Sequence, residues 1–277
     1  MTKPITPEDY AEPRCLLGDE RYGAAPAAIP VPQQRIIQKL DEYLSRRDYE
    51  SAEKHLLYWL AEAEQGRDQR GKLMLCNELV GHYRKTGRRE EAFRYAEEAL
   101  GLAETLGYAG SLTGGTTRVN AATAYSAFGE SEKALKLFRL ALEDYDADPR
   151  TDPAMRGGLY NNMALACKDL GRYEEAYALF DRAMEVMSLL PGAKPEQAIT
   201  CLNTADTVAQ QLGPEAGAGR IHALLLRALE LLRDEEAPRD GYYAFVCEKC
   251  APGFADYGMT AEAEELQRLA EELYDRA

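Results

Sequence analysis

The sequence predicts an all-α protein, a solenoid of about six helical hairpins preceded by an extended segment, and three observations predict it. The stretch from Gly158 to Met187 sets small residues (Ala164, Ala176, Ala183) among large ones (Leu159, Met163, Tyr173, Phe180) at helical spacing. A Leu-Gly-Arg-Tyr turn stands at its midpoint, so the stretch reads as one hairpin. The pattern then recurs. Aligning each turn with the alanine that opens the second helix gives Ala52, Ala92, Ala134, Ala176 and Ala263, with Ile221 in that place in one degenerate unit, so successive units lie 40, 42, 42, 45 and 42 residues apart. Finally, most of the 13 prolines fall before residue 33 or in the gaps between helical stretches. Two helices per unit of about 42 residues mean that each hairpin buries its apolar face against its neighbours.

Residues 1–32 form the first division of the chain and 33–277 the second. Pro4, Pro7, Pro13, Pro26, Pro30 and Pro32 remove backbone donors and disfavour helix in the residues before them, so the first segment is extended or irregular. Ile5, Tyr10, Cys15, Leu16, Leu17, Tyr22, Ile29 and Val31 give it more apolar content than a free tail carries. The expectation is a strap that caps the exposed face of the first hairpin; a tethered pseudo-ligand in the protein's own groove and simple disorder are the alternatives. Helices are expected at 33–46 and 49–65, 69–85 and 89–106, 112–127 and 131–146, 153–169 and 173–189, 195–211 and 215–233, and 239–257 and 260–275. Gly87, Gly129, Gly171 and Gly258 fit the turns. Glu90, Glu91, Glu132, Glu174 and Glu175 stand in first turns, where carboxylates complement the helix dipole. The pairs Gly114-Gly115 and Gly157-Gly158 recur 42 residues apart and read as close-packing sites, because no Gly-Lys-Thr or Gly-Lys-Ser follows to make a phosphate loop.

A small residue in the first helix, Leu-Gly-x-Tyr-x-x-Ala at the turn, and an aromatic followed by alanine in the second helix resemble the tetratricopeptide repeat. The fourth unit carries all of it in Ala164, Leu170, Gly171, Tyr173, Ala176, Phe180 and Ala183, and the third matches through Ala122, Tyr125, Gly129, Ala134, Phe138 and Ala141. With its longer unit and its Asn-Asn-Met-Ala, the repeat resembles most the long repeats of the kinesin light chain group. The resemblance covers about residues 33–277. It departs from the pattern at Leu40, at the long turn before Ile221 and at Pro252. It implies a right-handed superhelix whose first helices line a concave surface, and a non-enzymatic scaffold for a protein or peptide partner.

Charge and motifs agree with that implication. A net charge of -14 argues against nucleic acid and anionic membrane surfaces, which bind clustered Lys and Arg. No apolar run reaches the length of a bilayer span and the start lacks a secretory signal, so a soluble, cytoplasmic protein is expected. Cys247-x-x-Cys250 suggests half a zinc site, but no second pair follows at suitable spacing. The repeat register places Cys76, Cys167, Cys201, Cys247 and Cys250 at inward positions, so they read as buried core. No catalytic motif, metal site or cofactor is expected.

What remains is a ladder of asparagines. Asn120, Asn162 and Asn203 each stand two residues before the small residue of their first helix, and Asn77 and Asn161 three before theirs. In related grooves such side chains clamp an extended peptide backbone, and an amide, which both donates and accepts, suits that task. The alternative for each is a bond to a neighbouring helix. One turn on, Thr123, Leu165 and Asp206 are expected to face the same groove, then Ser126, Lys168 and Ala209, with Arg84 and Lys85 in the second unit. A peptide-pheromone sensor and a scaffold that pairs with a second copy through Leu266, Leu269 and Leu273 are the competing functions.

Overall fold

A computed structural model describes residues 28–275 of the protein. Among them are twelve α-helices and no strand. They are α1 (Gln33–Ser45), α2 (Tyr49–Gln65), α3 (Gln69–Lys85), α4 (Arg89–Thr105), α5 (Leu112–Ala127), α6 (Ser131–Ala147), α7 (Pro153–Asp169), α8 (Tyr173–Ser188), α9 (Lys194–Leu212), α10 (Ala218–Arg233), α11 (Gly241–Asp256) and α12 (Thr260–Tyr274). The expected helices match these closely, except that α10 begins three residues late. There Gly217 N–H donates to Gly213 O at 3.0 Å and extends the turn. Pro252 is accommodated inside α11 without ending it.

The chain divides into two compact units, residues 1–74 and 75–277, with the division inside α3. In the first unit, residues 1–27 lie outside the described residues, and with them most of the expected strap. Its last residues are held on the α2–α3 turn: Ile29 N–H donates to Gly66 O at 2.8 Å, and Val31 N–H donates to the buried Asp68 carboxylate at 2.9 Å. The α1–α2 hairpin buries Ile36, Leu40, Ala52, Leu56, Leu60 and Ala63. Its inner slots are filled differently from those of the second unit. Seven residues after the opening position of each second helix, the second unit carries Ala99, Ala141, Ala183, Ala228 and Ala270, all buried, where the first hairpin carries the half-buried Trp59.

In the second unit consecutive helices pack in order from α4 to α10 and α11 packs on α12, and successive first helices also touch: α5 with α7, α7 with α9, and α9 with α11, the last of which joins the final hairpin to the stack. Successive second helices approach each other less closely, so this stack of hairpins is concave on the side of its first helices. Ion pairs such as Arg139–Glu175 at 2.9 Å and Lys133–Glu97 at 3.4 Å tie the second helices on the opposite side, where exposure keeps each worth at most about 1 kcal/mol. The α4–α5 connection is clipped from α6: Gly110 N–H donates to Asp144 at 2.7 Å and Leu112 N–H to Asp148 at 2.9 Å. The Arg150 side chain and the backbone N–H groups of Leu112 and Arg150 hold the Asp148 carboxyl well below the usual carboxylate range.

The glycine pairs are close-packing sites at three of their four positions. A Cβ on Gly114 would collide with Tyr108 O, one on Gly115 with the Tyr145 ring, and one on Gly157 would come within 2.9 Å of Met187. Gly158 is the exception and corrects the expectation: a Cβ there would meet nothing within 4 Å, because this turn of α7 faces open space. The five described cysteines are all buried. Desolvation pushes the thiols of Cys167 and Cys201 up to about 11 and those of Cys247 and Cys250 up to about 12.

Candidate functional site

The concave face of the second unit is built from one stripe of each first helix. Helical geometry puts residues three, four and seven apart on one side, so positions six, three and two before the small residue and one after it share that stripe. From α7 it contributes Gly158, Asn161, Asn162 and Leu165, and from α9 Ile199, Leu202, Asn203 and Asp206.

The asparagine ladder lies here, and the structure divides it. Asn120 donates from Nδ2 to Asn77 Oδ1 at 3.2 Å, and Asn77 in turn donates to Thr117 Oγ1 at 3.2 Å. Asn203 donates to Asn161 Oδ1 at 3.3 Å. In both pairs a residue two before the small residue reaches one three before it in the preceding repeat. For Asn162 that preceding position is Val119, which has no polar side chain. Asn162 is half-buried and its side-chain amide makes no hydrogen bond among the described residues. Four asparagines are therefore staples between helices, and the central one keeps its amide unspent.

The other expected residues separate in the same way. Thr123 donates its hydroxyl back to Val119 O at 2.7 Å. Asp206 is exposed but accepts from Tyr257 Oη at 2.9 Å, and burial together with that carboxylate raises the tyrosine's pKa. Lys168 is half-buried with Nζ 3.9 Å from Asp169, and its carbonyl accepts from Gln210 at 3.4 Å. Lys85 is exposed at the end of α3. Arg84 is open to water, yet desolvation by the surrounding protein lowers its pKa, as expected for a cation on a concave wall. It has no ion pair among the described residues.

Three residues of this face went unremarked in the sequence. Tyr242 and Phe245 on α11 are 44% and 49% exposed with ring centroids 6.2 Å apart, and Glu196 opens α9 beside Tyr242. The repeat register was the signal that points to them, since Phe245 holds the position of Gly158 and Ile199. Leu266 is consumed in its own hairpin, fully buried, with Leu269 and Leu273 half-buried. Among the described residues no helix is long and apolar enough to cross a membrane, and no three His, Cys, Asp or Glu side chains are grouped to hold a metal ion.

Comparison with known families matches the tetratricopeptide repeat model at residues 73–147 and 156–234, more than half of the chain. The chain belongs to the tetratricopeptide repeat family. Among solved tetratricopeptide structures it resembles the nearly identical repeats of a putative Podosopora anserina kinesin light chain, at 16% identity and a TM-score of 0.50 over 74% of this chain and 96% of that one. A single-residue variant of the same protein gives 16% identity and 0.51 over 74% and 95%. BtubC from P. vanneervenii aligns over 89% of this chain and 92% of its own at 16% identity, with a TM-score of 0.45. No curated protein matches. The likeness to the kinesin light chain repeats shows the fold, and the long-repeat resemblance read from Asn161-Asn162 agrees with it.

Proposed function

We propose that the second unit is a non-enzymatic scaffold that holds an extended segment of a protein partner along the concave stripe of its first helices. The observation that carries the reading is Asn162. A half-buried amide with unspent donors and acceptor, flanked by asparagines that are paired, is placed to bond the N–H and C=O of a main chain lying across α7. Gly158, one turn earlier and facing open space, lets a backbone come close at that point. Arg84 supplies an uncommitted cation on the α3 wall, and Lys168 a second basic group on α7.

Selection of displayed random peptides on the intact chain, followed by calorimetry, tests the reading. Asn162→Ala is expected to weaken the selected peptides about 10-fold, the value of one to two hydrogen bonds, with an unchanged melting temperature. Asn120→Ala is the contrasting variant. It breaks a staple and lowers the melting temperature. Peptides that bind Asn162→Ala as tightly as the parent, or a library from which none is enriched, refute the groove.

A further inference from the structure

At the α9–α11 end of the concave face the chemistry changes from amides to rings and a carboxylate. Glu196, in the first turn of α9, has its Oε2 closed from water with no hydrogen-bond partner among the described residues. The residue as a whole is half-buried and Tyr242 hydrogen-bonds to its carboxylate, so the charge has lost part of its solvation and a cation brought against it is favoured. Tyr242 lies beside it, and Phe245 continues the same stripe of α11 one turn on, its ring tilted 31° to that of Tyr242. Both rings are about half exposed. Desolvation raises the pKa of Glu196, and desolvation followed by the Glu196 charge raises that of Tyr242 to about 12.

We infer that this cluster is a subsite for a cationic side chain, guanidinium or ammonium, carried by the segment bound in the groove. The rings offer their negative faces, and Glu196 supplies the opposite charge. The further charge that acts on both Glu196 and Tyr242 is that of Asp240, which also favours a cation. The inference rests on the groove reading and adds to it the chemistry of one ligand position.

The test titrates the intact chain, with Tyr and Phe rings labelled for NMR, with N-acetyl-arginine amide, N-acetyl-lysine amide and the neutral N-acetyl-norleucine amide. Saturable shifts of Tyr242 and Phe245 with either cation, absent with norleucine, support the subsite, and the stronger of the two identifies the preferred cation. Glu196→Gln, checked for parental helicity, is expected to abolish saturation. Phe245→Ala keeps the carboxylate and is expected to weaken it about 2- to 5-fold, the size of one exposed cation–π contact. Equal responses to cation and norleucine, no saturable response, or an unchanged Glu196→Gln titration overturn it. Selected peptides that depend on Asn162 while this titration fails would leave the groove standing and remove the subsite alone.

Discussion

The first hairpin and the fourth are written on the same pattern and filled with different residues. In the fourth, Ala164, Ala176 and Ala183 are wholly buried and let α7 and α8 lie close along 17 and 16 residues. In the first, Leu40 and Trp59 take two of those slots, α1 has only 13 residues, and a surface groove of about 580 Å³ runs along the two helices, lined by Arg35, Lys39 and Glu42 of α1 and by His55, Tyr58 and Trp59 of α2. The turns differ as well. Gly171 carries φ 71° between α7 and α8, whereas Arg47 carries φ 56° between α1 and α2, a left-handed conformation that a side chain opposes. Interior repeats are thus fixed by small residues at the points of closest approach. The first hairpin tolerates bulk and strain there.

The largest effect is expected when the fourth hairpin is given the residue of the first. Ala183→Trp is expected to cost about 3 kcal/mol or more, because overpacking at a closed slot forces the helices apart. Urea unfolding with a parental midpoint would show that the slot is not what holds the interior repeats. Gly115→Ala drives a methyl into the Tyr145 ring and is expected to cost about 2 kcal/mol in the same assay. A neutral effect would mean that the ring moves aside freely. In the opposite direction, Arg47→Gly removes the left-handed strain and is expected to raise stability by about 1 kcal/mol. A loss instead would show that contacts of the Arg47 side chain outweigh its backbone. The smallest effect is at Gly158, where a methyl meets nothing and helix propensity alone decides. Gly158→Ala is expected to gain about 0.5 to 1 kcal/mol in thermal unfolding. If the same variant weakens the selected peptides, the open space serves a ligand.

Residue pattern alone determined the helices, their pairing into hairpins and their period, because in a repeat each helix is specified by local spacing and its neighbour by the same spacing one unit on. Ala176, Phe180 and Ala183 are buried where that spacing puts them, and so are the five described cysteines. Tertiary structure alone decided which polar residues remain available to a ligand. Asn120, Asn162 and Asn203 are indistinguishable in register. Their fates differ because Asn77 and Asn161 stand opposite two of them and Val119 opposite the third, and hydrogen bonding depends on the partner across the helix interface. Gly157 and Gly158 are adjacent and look alike in sequence, yet one meets Met187 and the other meets open space, since neighbouring positions on a helix point in directions about 100° apart. Glu196 and Tyr242 are 46 residues apart in sequence and meet only because α9 and α11 lie side by side.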